Sequence, residues 1–106
     1  TQEKRILEGA GYQVVTAVDG LVALNLLAER RFDALVSDVE MPNMDGLTLT
    51  ARLRQMEHCK DMPVVLVTSL SRDEDKRRGL EAGANAYLSK SAFNQQILLD
   101  TLGRLL

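Results

Sequence analysis

Cysteine occurs once in this chain, at Cys59, and histidine once, at His58. A single thiol excludes an internal disulfide, and the lack of a Cys/His cluster excludes a thiolate metal site, so a reducing cytoplasm fits best. Long apolar runs are also missing: none approaches the roughly 20 residues that span a bilayer. The opening stretch Thr1-Gln2-Glu3-Lys4-Arg5 is polar and has no apolar signal-peptide core. Neither sign of charge dominates, with 13 basic and 15 acidic residues mixed along the chain for a net charge of -2. Such a balance offers no broad positive surface, so direct nucleic-acid binding is not expected. There is no internal repeat, low-complexity tract or linker. A Gly-rich phosphate loop, a dinucleotide fingerprint and a nucleophile elbow are all absent, which argues against a small flavin-binding or hydrolytic α/β enzyme.

What remains is a chain of 106 residues, 45% hydrophobic and 26% charged, of a size for one domain over residues 1–106. Ile6, Leu7 and Ala10 give a short helical stripe that stops at Gly11. The β-branched residues 12–17 read as a strand, and Asp19-Gly20 as a turn before a helix carrying Ala23, Leu24, Leu27 and Ala28. Residues 32–38 read as the next strand, followed by a Pro- and Gly-broken loop, Met41-Pro42-Asn43-Met44-Asp45-Gly46. A helix with Leu47, Leu49, Leu53 and Met56 follows. Residues 63–69 form a continuous apolar strand of the kind buried on both faces of a parallel sheet. A charged helix over 73–82 stops at Gly83, a last strand covers 84–89, and a last helix covers 93–106. Strict alternation of strand and helix with short connections predicts an α/β fold, a doubly wound parallel sheet.

Three of these strands end in reactive groups: Asp38, Thr68 and Lys90. Ligands of open α/β sheets bind outside the carboxyl ends of the strands, so a carboxylate, a hydroxyl and an ammonium on one edge read as a site. A partly desolvated carboxylate is a nucleophile toward phosphorus. Phosphoryl transfer asks mainly for positioning and charge neutralisation, which Lys90 and Thr68 would supply to two phosphoryl oxygens while a divalent cation covers the third.

Thr68 and Lys90 follow Asp38 by 30 and 52 residues, and Asp38 opens the run Asp38-Val39-Glu40-Met41-Pro42-Asn43-Met44-Asp45-Gly46. Here the chain resembles the receiver domains of two-component response regulators, whose fold is flavodoxin-like. The resemblance implies a phosphoacceptor in a phosphorelay, with Asp38 taking a phosphoryl group from a phosphohistidine. Thr68 would be the switch hydroxyl, Lys90 the phosphate-binding lysine and Tyr87 the aromatic that changes rotamer on activation. The backbone carbonyl of Glu40, with Asp38, would ligate Mg²⁺. Pro42 and Gly46 would shape the loop, and Gly83, in Glu81-Ala82-Gly83-Ala84, resembles the family's helix-to-strand turn. Implied partners are a histidine kinase or phosphotransfer domain and an output protein or domain reached through the 72–106 face.

Two departures from the family pattern stand out. The acidic pair that follows the family's first strand is absent, so that strand, the pair and the start of the first helix would lie about 20 to 25 residues upstream of Thr1, by the size of a βαβ unit. Mg²⁺ prefers six oxygens, so Asp38 and one carbonyl would hold it weakly or not at all. The domain would be N-terminally incomplete, its missing strand belonging between residues 12–17 and 32–38, with a dimer or an exchanged sheet edge as a consequence. Secondly, Ser91 follows Lys90 where most receivers carry a cis-proline; a cis bond before a non-proline costs about 3 kcal/mol, so a trans bond or strain is expected. Lys90-Ser91-Ala92-Phe93-Asn94-Gln95-Gln96, Val67-Thr68-Ser69-Leu70 and the stretch from Glu3 to Tyr12 resemble most the C-terminal receiver of chemotaxis-type (CheA-type) hybrid histidine kinases. The resemblance implies no enzyme activity of the domain beyond its own phosphorylation and dephosphorylation, the parent chain being a kinase. The rival reading is a pseudo-receiver, a protein-interaction domain that keeps the fold without phosphorylation.

Other residues read as ordinary. His58 suits a solvated loop, and Cys59 would oxidise only if exposed. Met41 and Met44 would pack under the loop. Arg72, Lys76, Arg77 and Arg78, alternating with Asp73, Glu74 and Asp75, suit a solvated helix face. Glu40 and Leu70, two residues beyond Asp38 and Thr68, would flank the path of a hydrolytic water and tune phosphate lifetime.

Overall fold

The structure is a computed structural model that describes residues 2–41, 43–68, 73–89 and 95–106. In chain order its elements are α1 (Gln2–Gly9), α2 (Gly20–Glu29), β1 (Leu35–Asp38), α3 (Gly46–Leu53), a 3₁₀ turn (Glu57–Cys59), β2 (Val64–Thr68), α4 (Asp73–Glu81), β3 (Ala86–Ser89) and α5 (Gln95–Leu105). The three strands form one parallel sheet in the order β1-β2-β3. Every residue of β2 is buried. A central parallel strand has helices over both faces and therefore reads as a continuous apolar run rather than an alternating one.

Side-chain alternation along β2 divides the core in two. Val64 and Leu66 join Leu27, Leu49, Leu53, Cys59 and Met62 on the face that carries α2 and α3. Val65 joins Leu7, Leu98 and Leu102 on the face that carries α1 and α5. Val64, Val65, Leu66 and Val67 are each no more than 1% exposed, and burial stabilises the fold by about 1.5–3 kcal/mol for each such side chain. The sheet is thus doubly wound, as the alternation of elements predicts.

The helix stops at Gly11 and Gly83 also form as expected. Both have positive φ, 98° and 113°, and both sit in the same hydrogen-bond pattern: Tyr12 N–H donates to the Leu7 carbonyl at 3.1 Å and Ala84 N–H to the Gly79 carbonyl at 3.2 Å. These bonds satisfy carbonyls that the helix end leaves open, and only glycine takes the left-handed turn without a Cβ penalty.

Residues 12–17 correct the sequence reading, because they form no strand. Their β-branched composition favours extended chain, but a strand exists only through hydrogen bonds to a neighbour. Among the described residues β1 pairs on its β2 side alone, and Val15 and Val18 are exposed while Val14 packs against the second core cluster. The other strands are shorter than read. Residues 32–34 lie outside β1, and Phe32 instead lies under the Arg30 guanidinium, 5.3 Å from its ring centroid.

Arg54 closes two connections at once. Its Nε and Nη2 donate to the Gly83 carbonyl at 3.0 and 2.8 Å, and Nη2 also to Asn85 Oδ1 at 2.9 Å. Its Nη1 donates to the carbonyls of Cys59, Lys60 and Met62 at 2.9, 3.2 and 2.6 Å. Asn85 in turn accepts from Val64 N–H and donates to the Val64 carbonyl, both at 2.8 Å, so the guanidinium is tied to the start of β2. Partial burial lowers the Arg54 pKa, opposed by the charge of Asp61.

Cys59 is 2% exposed. Burial raises its thiol pKa, against the opposing charges of Arg54 and Arg31. The neutral, covered thiol is a core group rather than an oxidation target. His58, beside it, is exposed as expected for a loop, yet its Nε2 lies 2.6 Å from the Leu27 carbonyl and ties the 3₁₀ turn to α2.

Replacing Arg54 strands several carbonyls that no single smaller residue can satisfy. Arg54→Ala is therefore expected to lower the unfolding free energy in urea by about 2–3 kcal/mol, and Arg54→Lys to recover only part of it; an unchanged midpoint for Arg54→Ala would refute the clamp.

Candidate functional site at the strand tips

Parallel register aligns the carboxyl ends of all three strands. Asp38, the last residue of β1, stands opposite Val67, and Thr68, the last of β2, stands opposite Ser89, the last of β3. The ladder continues one step beyond Asp38, where Val39 N–H donates to the Val67 carbonyl at 3.0 Å. Asp38 is partly buried and Thr68 fully so. The carboxylate and the hydroxyl read from the sequence thus share one sheet edge. Lys90, the third group, lies outside the described residues, as do Pro42, Leu70, Arg72 and the Lys90–Ser91 bond.

The loop after Asp38 is held at both ends. Gly46 N–H donates to the Val39 carbonyl at 2.8 Å, and a Cβ on Gly46 would stand 2.5 Å from the Asp38 carbonyl oxygen. Only glycine lets the start of α3 come this close to the strand tip, which explains the loop-shaping role read for it. Asp45 Oδ1 accepts from Thr48 N–H at 2.7 Å and caps α3. Met44 is buried in the core and Met41 packs against it, as read.

A second tether was not visible as a motif. Asn43, left-handed at φ 67°, donates from Nδ2 to Asp19 Oδ2 at 2.7 Å. Asp19 Oδ1 meanwhile accepts from Val22 N–H at 2.9 Å and caps α2. These bonds, first that from Val22 and then that from Asn43, lower the Asp19 pKa. Gly20 permits the close fit, since a Cβ there would collide with the Met44 carbonyl oxygen. Asp19-Gly20 reads from sequence as a turn; an aspartate directly before an apolar helix is also the signature of an N-cap, and that signal could have found it.

Thr68 Oγ1 donates to Glu40 Oε1 at 2.8 Å. The Glu40 side chain therefore takes part in the site, where sequence reasoning gave its backbone carbonyl a metal and its side chain only a flanking place. Tyr87, in β3, is partly buried and packs against the first core cluster. It rests on Gly79 of α4, where a Cβ would stand 2.6 Å from Tyr87 Cδ2. The described part of α4 shows a solvated face, with Lys76, Arg77 and Arg78 exposed and an Arg77–Glu81 ion pair at 3.8 Å.

Among the described residues no three of His, Cys, Asp and Glu come together to hold a metal ion. No described helix is long and apolar enough to cross a membrane.

An open, doubly wound parallel sheet with a carboxylate and a hydroxyl at adjacent strand tips defines an α/β domain with a candidate ligand site at its sheet edge. A family model for the response regulator receiver domain matches residues 2–102. The chain belongs to that family and is a phosphoacceptor domain of two-component signal transduction. It is 37% identical over 103 residues to the gliding motility regulatory protein of Myxococcus xanthus, covering 97% of this chain and 13% of that protein. Over 84 residues it is 49% identical to the sensor histidine kinase RcsC of Salmonella typhimurium, covering 79% of this chain and 9% of that protein. The chain thus spans a small part of the length of these relatives. Among solved structures it is similar to the receiver domain of the sensor histidine kinase PA1611 from Pseudomonas aeruginosa, which holds a magnesium ion in its active-site cleft. The TM-score is 0.89 at 30% identity, covering 98% of this chain and 84% of that one.

The Tyr87–Gly79 contact gives the site a mechanical test. Gly79→Ala puts a methyl where the ring lies, so the NMR signals of the Tyr87 ring should shift while those of Val65, on the opposite core face, stay in place; an unmoved Tyr87 would contradict the contact.

Proposed function

We propose that Asp38 is the residue phosphorylated, that Thr68 and Lys90 bind the phosphoryl oxygens, and that Tyr87 reports the switch to an output partner. One carboxylate oxygen of Asp38 attacks phosphorus of a phosphohistidine on a kinase or phosphotransfer domain. The P–O bond forms as the P–N bond breaks, and the imidazole leaves with the electron pair of that bond. The product is an acyl phosphate on Asp38. The observation that supports this reading most is the strand register, which sets Asp38 one residue from the level of Thr68 on the neighbouring strand. Proximity of that kind is what phosphoryl transfer chiefly demands.

The Pseudomonas relative's receiver domain coordinates a magnesium ion in its active-site cleft. Asp38 and the Glu40 carbonyl would face it here, and with these two oxygens alone it is held weakly. Residues 1–106 all belong to one receiver unit. The parent reading is a hybrid histidine kinase of the chemotaxis type, in keeping with the motility regulator and the sensor kinase to which the chain is similar. Output passes through residues 72–106, Tyr87 among them.

Intact protein treated with acetyl phosphate and Mg²⁺ is expected to gain one phosphoryl mass on the peptide carrying Asp38. Asp38→Asn should abolish the gain. A phosphoryl mass that persists in Asp38→Asn, or none in the wild type, would overturn the assignment.

A further inference from the structure

The Thr68 hydroxyl is fully buried, and a buried hydroxyl needs a partner. Its proton goes to Glu40 Oε1 at 2.8 Å. A threonine hydroxyl has one proton to donate, so it cannot serve Glu40 and a phosphoryl oxygen at the same time. Glu40 also lies two residues past Asp38, on the loop that Gly46, Asn43 and Asp45 hold in place. Those bonds hold the loop that carries the Glu40 backbone, and a hydrogen bond of 2.8 Å joins its side chain to Thr68.

We infer that the Glu40 carboxylate is the resting-state acceptor of the Thr68 hydroxyl, a latch that phosphorylation of Asp38 must open. The inference rests on the assignment of Asp38 and Thr68 proposed above. Switching is then an exchange of acceptors at one proton: Thr68 leaves Glu40 and turns to the phosphoryl group. A dianionic phosphoryl beside Asp38 repels the Glu40 carboxylate and favours its release. The latch stabilises the unphosphorylated state alone, so it sets how far a given phosphoryl occupancy moves the domain. Glu40 is a positioning residue here, acting through Thr68, and substitution of its side chain leaves the backbone carbonyl in place.

Beryllofluoride, a phosphoryl mimic, tests this on the intact protein in the presence of Mg²⁺. Glu40→Ala should tighten its binding about tenfold, the size of a hydrogen bond to a charged group. In a Thr68→Val background the same substitution should tighten binding far less, because the latch is already gone and only the relief of charge repulsion remains. Thr68→Ser keeps the hydroxyl and should keep the effect, which covers the case in which Thr68→Val fails to fold. Glu40→Gln retains an acceptor oxygen and should tighten binding less than Glu40→Ala. Equal tightening by Glu40→Ala with and without the hydroxyl would mean that charge alone acts, and would overturn the latch. So would rapid solvent exchange of the Thr68 hydroxyl proton in the unphosphorylated wild type, where NMR should find it protected and find that protection lost in Glu40→Ala. No beryllofluoride binding by any of these proteins would instead overturn the assignment of Asp38, and the exchange of acceptors with it.

Discussion

The complete burial of β2 is the constraint on which the rest of the domain depends. A strand covered on both faces has no freedom to slip, since a shift of one residue would send every side chain to the other core. Val64 and Leu66 are committed to one cluster and Val65 to the other. Both neighbours read their register from this strand. The levels at which β1 ends in Asp38 and β3 ends in Ser89 are therefore consequences of packing far below the site. Polar chemistry at the tips is positioned by apolar contacts beneath them.

Above the sheet the arrangement is kept by hydrogen bonds as well as by the burial of Val39 and Met44. The loop after Asp38 is exposed at Glu40, Asn43 and Asp45, so it cannot rely on the core alone. It is secured by Gly46 to Val39, by Asn43 to Asp19 and by Asp45 to the start of α3. Two aspartates, Asp19 and Asp45, cap two consecutive helices that begin at the same rim. Helix starts and strand ends meeting at one edge are a property of the parallel α/β plan. In this domain they give the Asp38 carboxylate a fixed surrounding, the kind of preorganisation that the proposed transfer would draw on.

The fold was readable from the chain because its signals are local and agree with one another. The apolar run at 64–67, the stops at Gly11 and Gly83 and the alternation of periodicities all point to one architecture. Residues 12–17 were misread because strand propensity describes half of a ladder and pairing is a property of two segments. Asp38 and Thr68 stood out as candidates through strand-end position and spacing, and the register sets them at adjacent strand tips. The Glu40 side chain did not: its partner is 28 residues away, and nothing in either local sequence encodes which rotamer meets which. Arg54 was hidden for the same reason, its acceptors being backbone carbonyls that carry no residue identity.

If the central strand governs the register of the site, its hydrogen bonds should be the last to open. Native-state hydrogen exchange of the backbone amides tests this directly. Val39 N–H, bonded to Val67, and Asn85 N–H, bonded to Val64, together with the amides that β2 shares with its neighbours, should exchange only through global unfolding and track its free energy across denaturant. Exchange of those amides as fast as that of residues 12–17, which form no strand, would contradict the account.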